Sequence, residues 1–304
     1  MELFKKIITL LSYVFASVFS FMLFAIIALF VFAIVSIGKN TAVSAPVKIT
    51  SKNAVGVVDI LGEILTADKF RKNFNKFQKN KKIKAIVVRI DSPGGAVGAS
   101  EEMYRIIKNS KKPVVCSLGN VAASGGVYAA MGCDKVVSNM GTITGSIGVI
   151  LFMPNVSKVV DKVGFKMNIV KSGKFKDAGS PFKDIAEDEQ NLLQNLVTKS
   201  YEEFLSIVAK SRNLPVDKVR SFADGRIILG SQALEYGLVD KIGGLEEAGK
   251  LALEVAKVKD AEPEFIFTSK HRAILEIFEQ LEQKLDLFGY NNLGYSNATK
   301  LRYF

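Results

Sequence analysis

Apolar and polar positions follow two different patterns along the chain. Residues 7–37 carry no charged side chain, and about 20 apolar residues suffice to cross a bilayer. The run is too long for the apolar core of a secretory signal peptide, which spans roughly 7–15 residues. It therefore predicts a single-pass transmembrane anchor, within residues 1–45, that contacts lipid. A cleaved signal peptide is the alternative.

From residue 46 onward, short apolar runs alternate with amphipathic segments. Strands are predicted at 54–60, 82–90, 112–119, 134–138 and 165–170, with helices between most of them, and 146–152 is a further apolar run. A long helix is expected from Glu187 to about Arg212, and further helical segments follow it. This alternation is typical of parallel βαβ units. It predicts one layered α/β domain over residues 46–260.

The last segment, 261–304, has a pattern of its own. Apolar residues recur there at alternating four- and three-residue steps, which predicts an amphipathic helix that packs on the body or on a neighbouring subunit. These residues are Ile274, Phe278, Leu281, Leu285 and Phe288. The final residues show no clear pattern, and we expect a mobile tail.

The net charge of +11 is concentrated in one stretch. Between Asp68 and Lys84 there are eight Lys or Arg residues and one acid. Phe70, Phe74 and Phe77 stand at helical spacing within it, so the stretch predicts an amphipathic helix with a basic outer face. Contact with anionic lipid is the functional alternative to a solvated face. Nucleic acid is not an expected partner, because no recognised binding motif accompanies the charge.

The two cysteines, Cys116 and Cys133, do not form a disulfide framework of the kind found in small secreted domains. They are predicted to be buried free thiols. No spacing of cysteine, histidine and carboxylate residues suggests zinc or calcium. Neither a metal nor another cofactor is therefore expected.

Three glycine-rich stretches follow predicted strands: DSPGGAVG at 91–98, NVAASGG at 120–126 and NMGTITGSIG at 139–148. In parallel sheets, ligand sites form at the carboxyl ends of the strands. Backbone N–H groups exposed there can stabilise an anion. Ser124 lies among residues with almost no side chain. Taken alone, this segment favours a serine that caps the following helix, and an accessible nucleophile is the alternative.

A serine nucleophile needs a base to take its proton. The chain has one histidine, His271, far downstream in the predicted C-terminal helix. A lysine with a lowered pKa is the alternative base. Four lysines stand in the segment KSGKFKDAGSPFKD, and position alone does not choose among them: Lys171, Lys174, Lys176 and Lys183.

Four blocks of the chain follow one another in order: VRIDSPGGAVGASEEMYRIIKNSKKPVVCSLGNVAASGGVYAA, GTITGSIGVI, SGKFKDAGSPF and GRIILGSQALEYGLVDKIGGLEEA. Together they resemble the signal peptide peptidase A family of serine peptidases, which has a Clp protease/crotonase-like fold. The resemblance covers roughly residues 55–255. It implies Ser124 as nucleophile and Lys176 as general base. It further implies an oxyanion hole at Gly95 and Gly125, and a lysine-orienting role for Ser146.

The same resemblance implies a function. We expect a membrane-anchored serine endopeptidase with a Ser–Lys dyad that cleaves remnant signal peptides and other apolar or unfolded chains. It would form a homo-oligomeric ring in the bacterial inner membrane, with the peptidase domain extracytoplasmic. One alternative is a related membrane peptidase with a dedicated partner protein as substrate. The other is a ring that binds peptides without cutting them.

Overall fold

The computed structural model describes residues 13–15, 17–25, 28, 53–258 and 261–267. The chain divides into two units, Met1–Thr50 and Ser51–Phe304. In the first unit the described residues are helical. Among all residues described, no helix combines the length and the apolar character that a bilayer span requires. The rest of the predicted anchor at 7–37, His271 and the predicted C-terminal helix lie outside the described residues.

The second unit alternates strands and helices, as predicted. Its strands are β1 (Ala54–Leu61), β2 (Ala85–Ser92), β3 (Val114–Ala123), β4 (Lys135–Ser138), β5 (Ile143–Gly145), β6 (Ile227–Leu229), β7 (Lys241–Ile242) and β8 (Glu264–Phe267). Its helices are α1 (Asp68–Lys79), α2 (Val97–Lys108), α3 (Gly125–Ala130), α4 (Ser157–Lys162), α5 (Glu187–Arg212), α6 (Val216–Arg220), α7 (Gly230–Tyr236) and α8 (Leu245–Val255). The predicted α/β class is confirmed.

The strands form an eight-stranded sheet in the order β6-β5-β3-β2-β1-β8, with β4 and β7 branching from β3. All pairs are parallel except β5 with β6. The first half of β3, Val115 to Leu118, pairs with β4, and its last residues, Val121 to Ala123, pair with β5. The carboxyl end of β3 is therefore held between β2 and β5.

Helices cover both faces of the sheet, which is why β1, β2 and β3 are almost continuous apolar runs. On one face, α8 buries Ala248, Ala252 and Leu253 against valines of the first strands. The phenylalanines of α1 are buried, as the sequence pattern predicts: Phe70, Phe74 and Phe77. The basic residues of α1 therefore occupy its outer face.

One predicted strand is wrong. The run 165–170 pairs with no other strand in the described part of the chain. The apolar run 146–152 forms no strand there either, since β5 ends at Gly145. The side chains of 165–170 are exposed, up to 100% for Val170. In the run 146–152, Ile147 is buried, whereas Ile150, Leu151 and Phe152 are exposed, Phe152 by 84%.

The prediction of free cysteine thiols is also wrong. Cys116 and Cys133 are buried, but they form a disulfide with a Cα–Cα separation of 5.8 Å. The reason is the short length of α3, after which the chain returns to the start of β3. There the backbone N–H of Asp134 donates to the carbonyl of Val114 at 2.8 Å. The disulfide closes a loop that contains Ser124.

Candidate active site

Ser124 occupies the turn between β3 and α3. Its backbone has φ 51° and ψ −117°. Residues other than glycine rarely adopt this conformation, and it often marks a functional site. Its N–H donates to the carbonyl of Gly145 at 2.9 Å, and its carbonyl accepts from Tyr128 N–H at 3.0 Å. The side chain makes no capping hydrogen bond to α3. The structure therefore does not support the helix-cap interpretation.

Asp91 shapes the strand that leads to Ser124. The register between β2 and β3 shifts there, since Ile90 pairs with Leu118 but Ser92 pairs with Ala122. The carboxylate of Asp91 accepts the backbone N–H groups of Asn120 and Val121, at 3.3 and 3.1 Å. The sequence DSPGG drew attention through its glycines, and nothing in its pattern indicated this role of Asp91.

Two buried threonines support the same irregular part of β3, on the side that faces β5. Thr142 donates its hydroxyl to the carbonyl of Gly119 at 2.6 Å, and Thr144 donates to the carbonyl of Ala122 at 2.7 Å. A buried carbonyl left without a donor costs roughly 1–3 kcal/mol. The alternation in GTITG, which puts both threonines on one face of a strand, was the available signal for this role.

Gly95 and Gly125 present their backbone N–H groups beside Ser124. A Cβ atom on Gly125 would lie 3.3 Å from the nitrogen of Gly95, so the two residues are close neighbours. Within the described chain, neither N–H donates a hydrogen bond. Gly95 has φ 154°, and a Cβ there would lie 2.2 Å from the carbonyl oxygen of Ile64. Only glycine fits this position, and the pair has the form expected of an oxyanion hole.

A small cavity joins three of the five predicted site residues: Gly95, Ser124 and Gly125 line it together. Ser146 lies next to this group, because the carbonyl of the preceding Gly145 accepts from Ser124 N–H. Ser146 also has a positive φ of 50°. Its hydroxyl has no hydrogen-bond partner among the residues described, so its orienting role remains a prediction.

Lys176 is exposed and is not among the residues that line the cavity around Ser124. It follows α4, in the segment that contains the four candidate lysines. The cavity beside the predicted nucleophile is therefore lined without the predicted base.

The other three lysines of the segment are engaged in ion pairs. Lys171 pairs with Asp177, Lys174 pairs with Asp188, and Lys183 pairs with Asp177 at 3.1 Å and Glu189 at 2.5 Å. The hydrogen bond to Glu189 raises the pKa of Lys183, which is the wrong direction for a base. Of the four candidates, Lys176 alone has an ammonium without a partner in the described chain. The structure therefore favours Lys176 among the alternatives left open by the sequence.

A serine on a strained strand-to-helix turn, beside two backbone amides, is the arrangement used by the class of serine hydrolases. The family model of peptidase family S49 matches residues 106–259, and that of Clp protease matches residues 58–140. The Synechocystis sp. protein slr0021 is 46% identical over 216 residues, which cover 69% of this chain and 77% of that protein. This chain therefore belongs to peptidase family S49.

Two further relatives carry names that state an activity. Serine protease SPPA, chloroplastic, of Arabidopsis thaliana is 35% identical over 206 residues, 67% of this chain and 30% of that protein. Protease 4 of Haemophilus influenzae is 33% identical over 208 residues, 64% of this chain and 34% of that protein. This chain thus matches about a third of each of them. It is a serine peptidase with a Clp protease-like α/β fold.

Proposed function

We propose that this chain is a membrane-anchored endopeptidase in which Ser124 is the nucleophile and Lys176 the general base. The observation that carries the proposal is the geometry around Ser124. Its strained backbone turns the serine into the same cavity that Gly95 and Gly125 line, and the N–H groups of these two glycines have no other acceptor among the described residues.

The chemistry follows from these groups. A neutral Lys176 takes the proton of the Ser124 hydroxyl while its oxygen attacks the carbonyl carbon of the peptide bond. The amides of Gly95 and Gly125 hold the negative oxygen that develops. Lys176 then gives its proton to the departing amine, and water hydrolyses the serine ester with Lys176 as base.

Lys176 of a neighbouring copy serves each Ser124 in this proposal. The cavity around Ser124 contains no base from its own chain among the described residues. The segment before Lys176 exposes apolar side chains, as surfaces that pack against another subunit do. The most exposed are Ile150, Phe152, Val159, Val163, Phe165 and Val170. A ring of copies would bury these side chains and complete each site.

The peptidase unit lies on the extracytoplasmic side of a bacterial inner membrane. The uncharged run at 7–37 supports the anchor. The disulfide between Cys116 and Cys133 supports an oxidising compartment, because such bonds are rare in the reducing cytosol. An anchored ring whose sites face inward suits extended apolar chains, so remnant signal peptides and unfolded segments are the proposed substrates. A single dedicated partner protein as substrate would instead give a narrow cleavage-site preference.

The test is cleavage of an apolar signal-like peptide by the full chain in detergent, between pH 6 and 10. Ser124→Ala and Lys176→Ala should both be inactive, while Lys174→Ala should retain activity because its ammonium pairs with Asp188. The wild-type rate should rise with an apparent pKa well below the usual value for lysine. An active Lys176→Ala enzyme would refute the dyad. A wild type that binds the peptide without cutting it would favour the binding-ring alternative.

A mixing experiment tests the neighbouring-copy arrangement. Copies carrying Ser124→Ala are co-assembled with copies carrying Lys176→Ala, each inactive alone. Random mixing would restore about a quarter of the sites if the dyad joins neighbouring copies in a ring. No recovery from a mixed assembly would show that both groups come from one chain.

A further inference from the structure

Two turns of the second unit carry an unbalanced positive charge. Residues 76–84, at the end of α1 and in the turn to β2, hold five lysines, and residues 108–113, at the end of α2 and in the turn to β3, hold three. Neither range contains an acidic residue. We call the two ranges together the basic edge. No step of the proposed reaction uses this surface.

Hydrogen bonds hold the two turns side by side. The ammonium of Lys112 donates to the carbonyl of Phe77 at 2.7 Å, and the amide of Gln78 donates to the Ser110 hydroxyl at 3.1 Å. Desolvation lowers the pKa of Lys112, and the nearby charge of Lys84 lowers it further. The charges of the two turns therefore add up in one continuous surface.

The charges of the basic edge are not neutralised within the described chain. Lys79, Lys81 and Lys111 are exposed, and no salt bridge links them to any residue described. Arg71, nearer the start of α1, instead pairs with Glu102. The basic edge therefore presents a positive potential to solvent, and it can attract a negatively charged partner.

The basic edge lies at the end of the sheet where its central parallel strands begin. The backbone N–H of Lys84 donates to the carbonyl of Ala54, the first residue of β1, at 2.9 Å. In the sequence, only residues 38–53 separate β1 from the uncharged run at 7–37. An anchor in that run would keep the basic edge within reach of a membrane at high effective concentration. This tether favours a lipid surface over free nucleic acid or a free acidic protein as the partner.

We infer that the basic edge docks on the anionic phospholipid headgroups of the membrane that holds the anchor. Lysine ammonium groups suit this partner, because they attract a diffuse negative surface without needing a fixed bidentate geometry. Ser124 follows the other end of β3, whose ten residues span roughly 33 Å. Docking would therefore turn the peptidase site away from the lipid, and a substrate would have to leave the bilayer to be cut. The inference rests on the proposed anchor but not on the catalytic roles of Ser124 and Lys176.

The test follows one fluorescent label on the full chain reconstituted into vesicles. Asn109→Cys places an exposed thiol in the basic edge without removing a lysine, and Thr66→Cys places one in the exposed loop after β1, at the other end of the sheet. The two native cysteines are joined in a disulfide and do not take the label. A spin label on the lipid headgroups quenches the fluorophore at short range. The vesicles contain phosphatidylcholine alone or an equal mixture of phosphatidylcholine and phosphatidylglycerol.

The label at position 109 should be quenched in the mixed vesicles and not in phosphatidylcholine alone. The quenching should disappear in about 1 M salt, where the Debye length falls to about 3 Å. The label at position 66 should stay unquenched in both kinds of vesicle. Spin-labelled lipid is present in both leaflets, so the direction of insertion does not affect the comparison.

Charge removal provides the matched comparison. Three lysines of the basic edge are changed together by the substitutions Lys79→Gln, Lys81→Gln and Lys111→Gln. The docking equilibrium constant, measured from the quenched fraction, should fall about a hundredfold, since each lysine near an anionic surface contributes roughly fivefold. The control removes the same charge from exposed positions of α5 and α6 by the substitutions Lys199→Gln, Lys210→Gln and Lys218→Gln. It should keep the wild-type quenching.

The opposite results overturn the inference. Equal quenching of position 109 in the two kinds of vesicle would do so, as would an equal loss in the control triple variant. Absence of quenching in both would also do so, and a change of emission on adding a DNA duplex would then assign the surface to nucleic acid.

Two readouts on the same samples separate this inference from the proposed function. A chain that does not float with phosphatidylcholine vesicles has no anchor, and the inference then fails with it. Peptide cleavage by each preparation in detergent tests Ser124 and Lys176 independently of docking. An active, anchored enzyme whose position 109 is not quenched refutes the lipid surface alone.

Discussion

The end of β3 and the segment from Val149 to Ile185 are supported in different ways. The first is buried between β2 and β5, and hydrogen bonds from Thr142, Thr144 and the Asp91 carboxylate fix its backbone. The second pairs with no strand in the described chain and exposes many of its apolar side chains. The turns that carry Ser124, Gly95 and Gly125 are therefore packed within one chain, whereas the segment that carries Lys176 is largely exposed. In the proposed function, a neighbouring copy covers that segment.

This difference suits the two chemical roles. An oxyanion hole works because its donors are in place before the charge develops, which requires a rigid frame. A base on an exposed segment can instead be brought to its site by assembly. Activity would then depend on the oligomer, and an isolated chain would hold a formed but inactive cavity. The predictions below act first on the rigid frame and then on the exposed segment.

The largest expected effect is the loss of kcat in Gly95→Ala, which changes the loop beside Ser124. A Cβ at this position would lie 2.2 Å from the Ile64 carbonyl oxygen, so the loop must move and withdraw one oxyanion donor. The kcat should fall about 10²–10³-fold, the loss measured when one such donor is removed. Steady-state kinetics on an apolar peptide measures it.

Gly98→Ala is the matched control, because a Cβ on this glycine meets nothing within 4 Å. It should leave kcat unchanged. Wild-type kinetics in the Gly95→Ala enzyme would mean that the loop at 93–96 does not supply an oxyanion donor.

Reduction of the Cys116–Cys133 disulfide should lower the unfolding free energy by releasing the chain around β3 and α3. It should leave the structure of the lysine segment unchanged. The bond joins cysteines with a sequence separation of 17, and for loops of this length the loss is about 3 kcal/mol of unfolding free energy. Urea unfolding with and without a reductant measures the loss. The Cys133→Ala enzyme should be insensitive to the reductant, and a wild type equally insensitive would argue against the disulfide.

The parts that sequence predicted well are those whose side chains pack inside one chain. The strand at 54–60 and the helix from Glu187 to Arg212 match β1 and α5 because period and burial agree there. Ser124, Gly95 and Gly125 meet in one cavity because parallel strands end at one edge. Their roles stay predictions, since geometry places groups without measuring rates.

The wrong and missed assignments have separate physical causes. The apolar run at 165–170 looks like a buried strand, but nothing within the described chain pairs with it. An apolar run indicates that a segment favours burial, but it does not show whether the burial is within the same chain or against another one. The disulfide was missed because the length of α3 decides whether Cys133 returns to Cys116. The number of cysteines in the sequence does not show that length. Asp91 was missed because the irregular pairing that it supports leaves little trace in side-chain periodicity. Thr144 was missed although the alternation in GTITG was an available signal.

A smaller effect is expected from Thr144→Val, which keeps the shape of the side chain and removes its hydroxyl. The carbonyl of Ala122 would lose its donor in a fully buried place. The unfolding free energy should fall by about 1–3 kcal/mol, as measured by urea unfolding. Thr198→Val on the exposed face of α5 is the control, and an equal loss there would show that the bulge is not special.

The smallest effect on stability, with a distinct effect on activity, is expected from Asp177→Asn beside Lys176. A hydrogen bond from Lys171 lowers the pKa of Asp177, and one from Lys183 adds to it against the effect of desolvation. A carboxylate whose folded pKa lies below its unfolded value contributes to stability above the unfolded pKa, and the contribution is lost as pH falls through the folded value. The pKa of Lys183 is raised, mainly by Glu189, so its contribution is complete below the unfolded pKa and is lost as pH rises through the folded one.

The cluster is therefore intact at neutral pH, and it should hold the Lys176 segment in place there. Asp177→Asn should lower kcat by about tenfold at neutral pH, as a small misplacement of a catalytic group does, with little change in thermal midpoint. Asp161→Asn is the control, because Asp161 forms no ion pair with any residue described. An Asp177→Asn enzyme with wild-type kcat across pH 6–9 would show that assembly alone places the lysine, and that the ion pairs of this segment do not contribute.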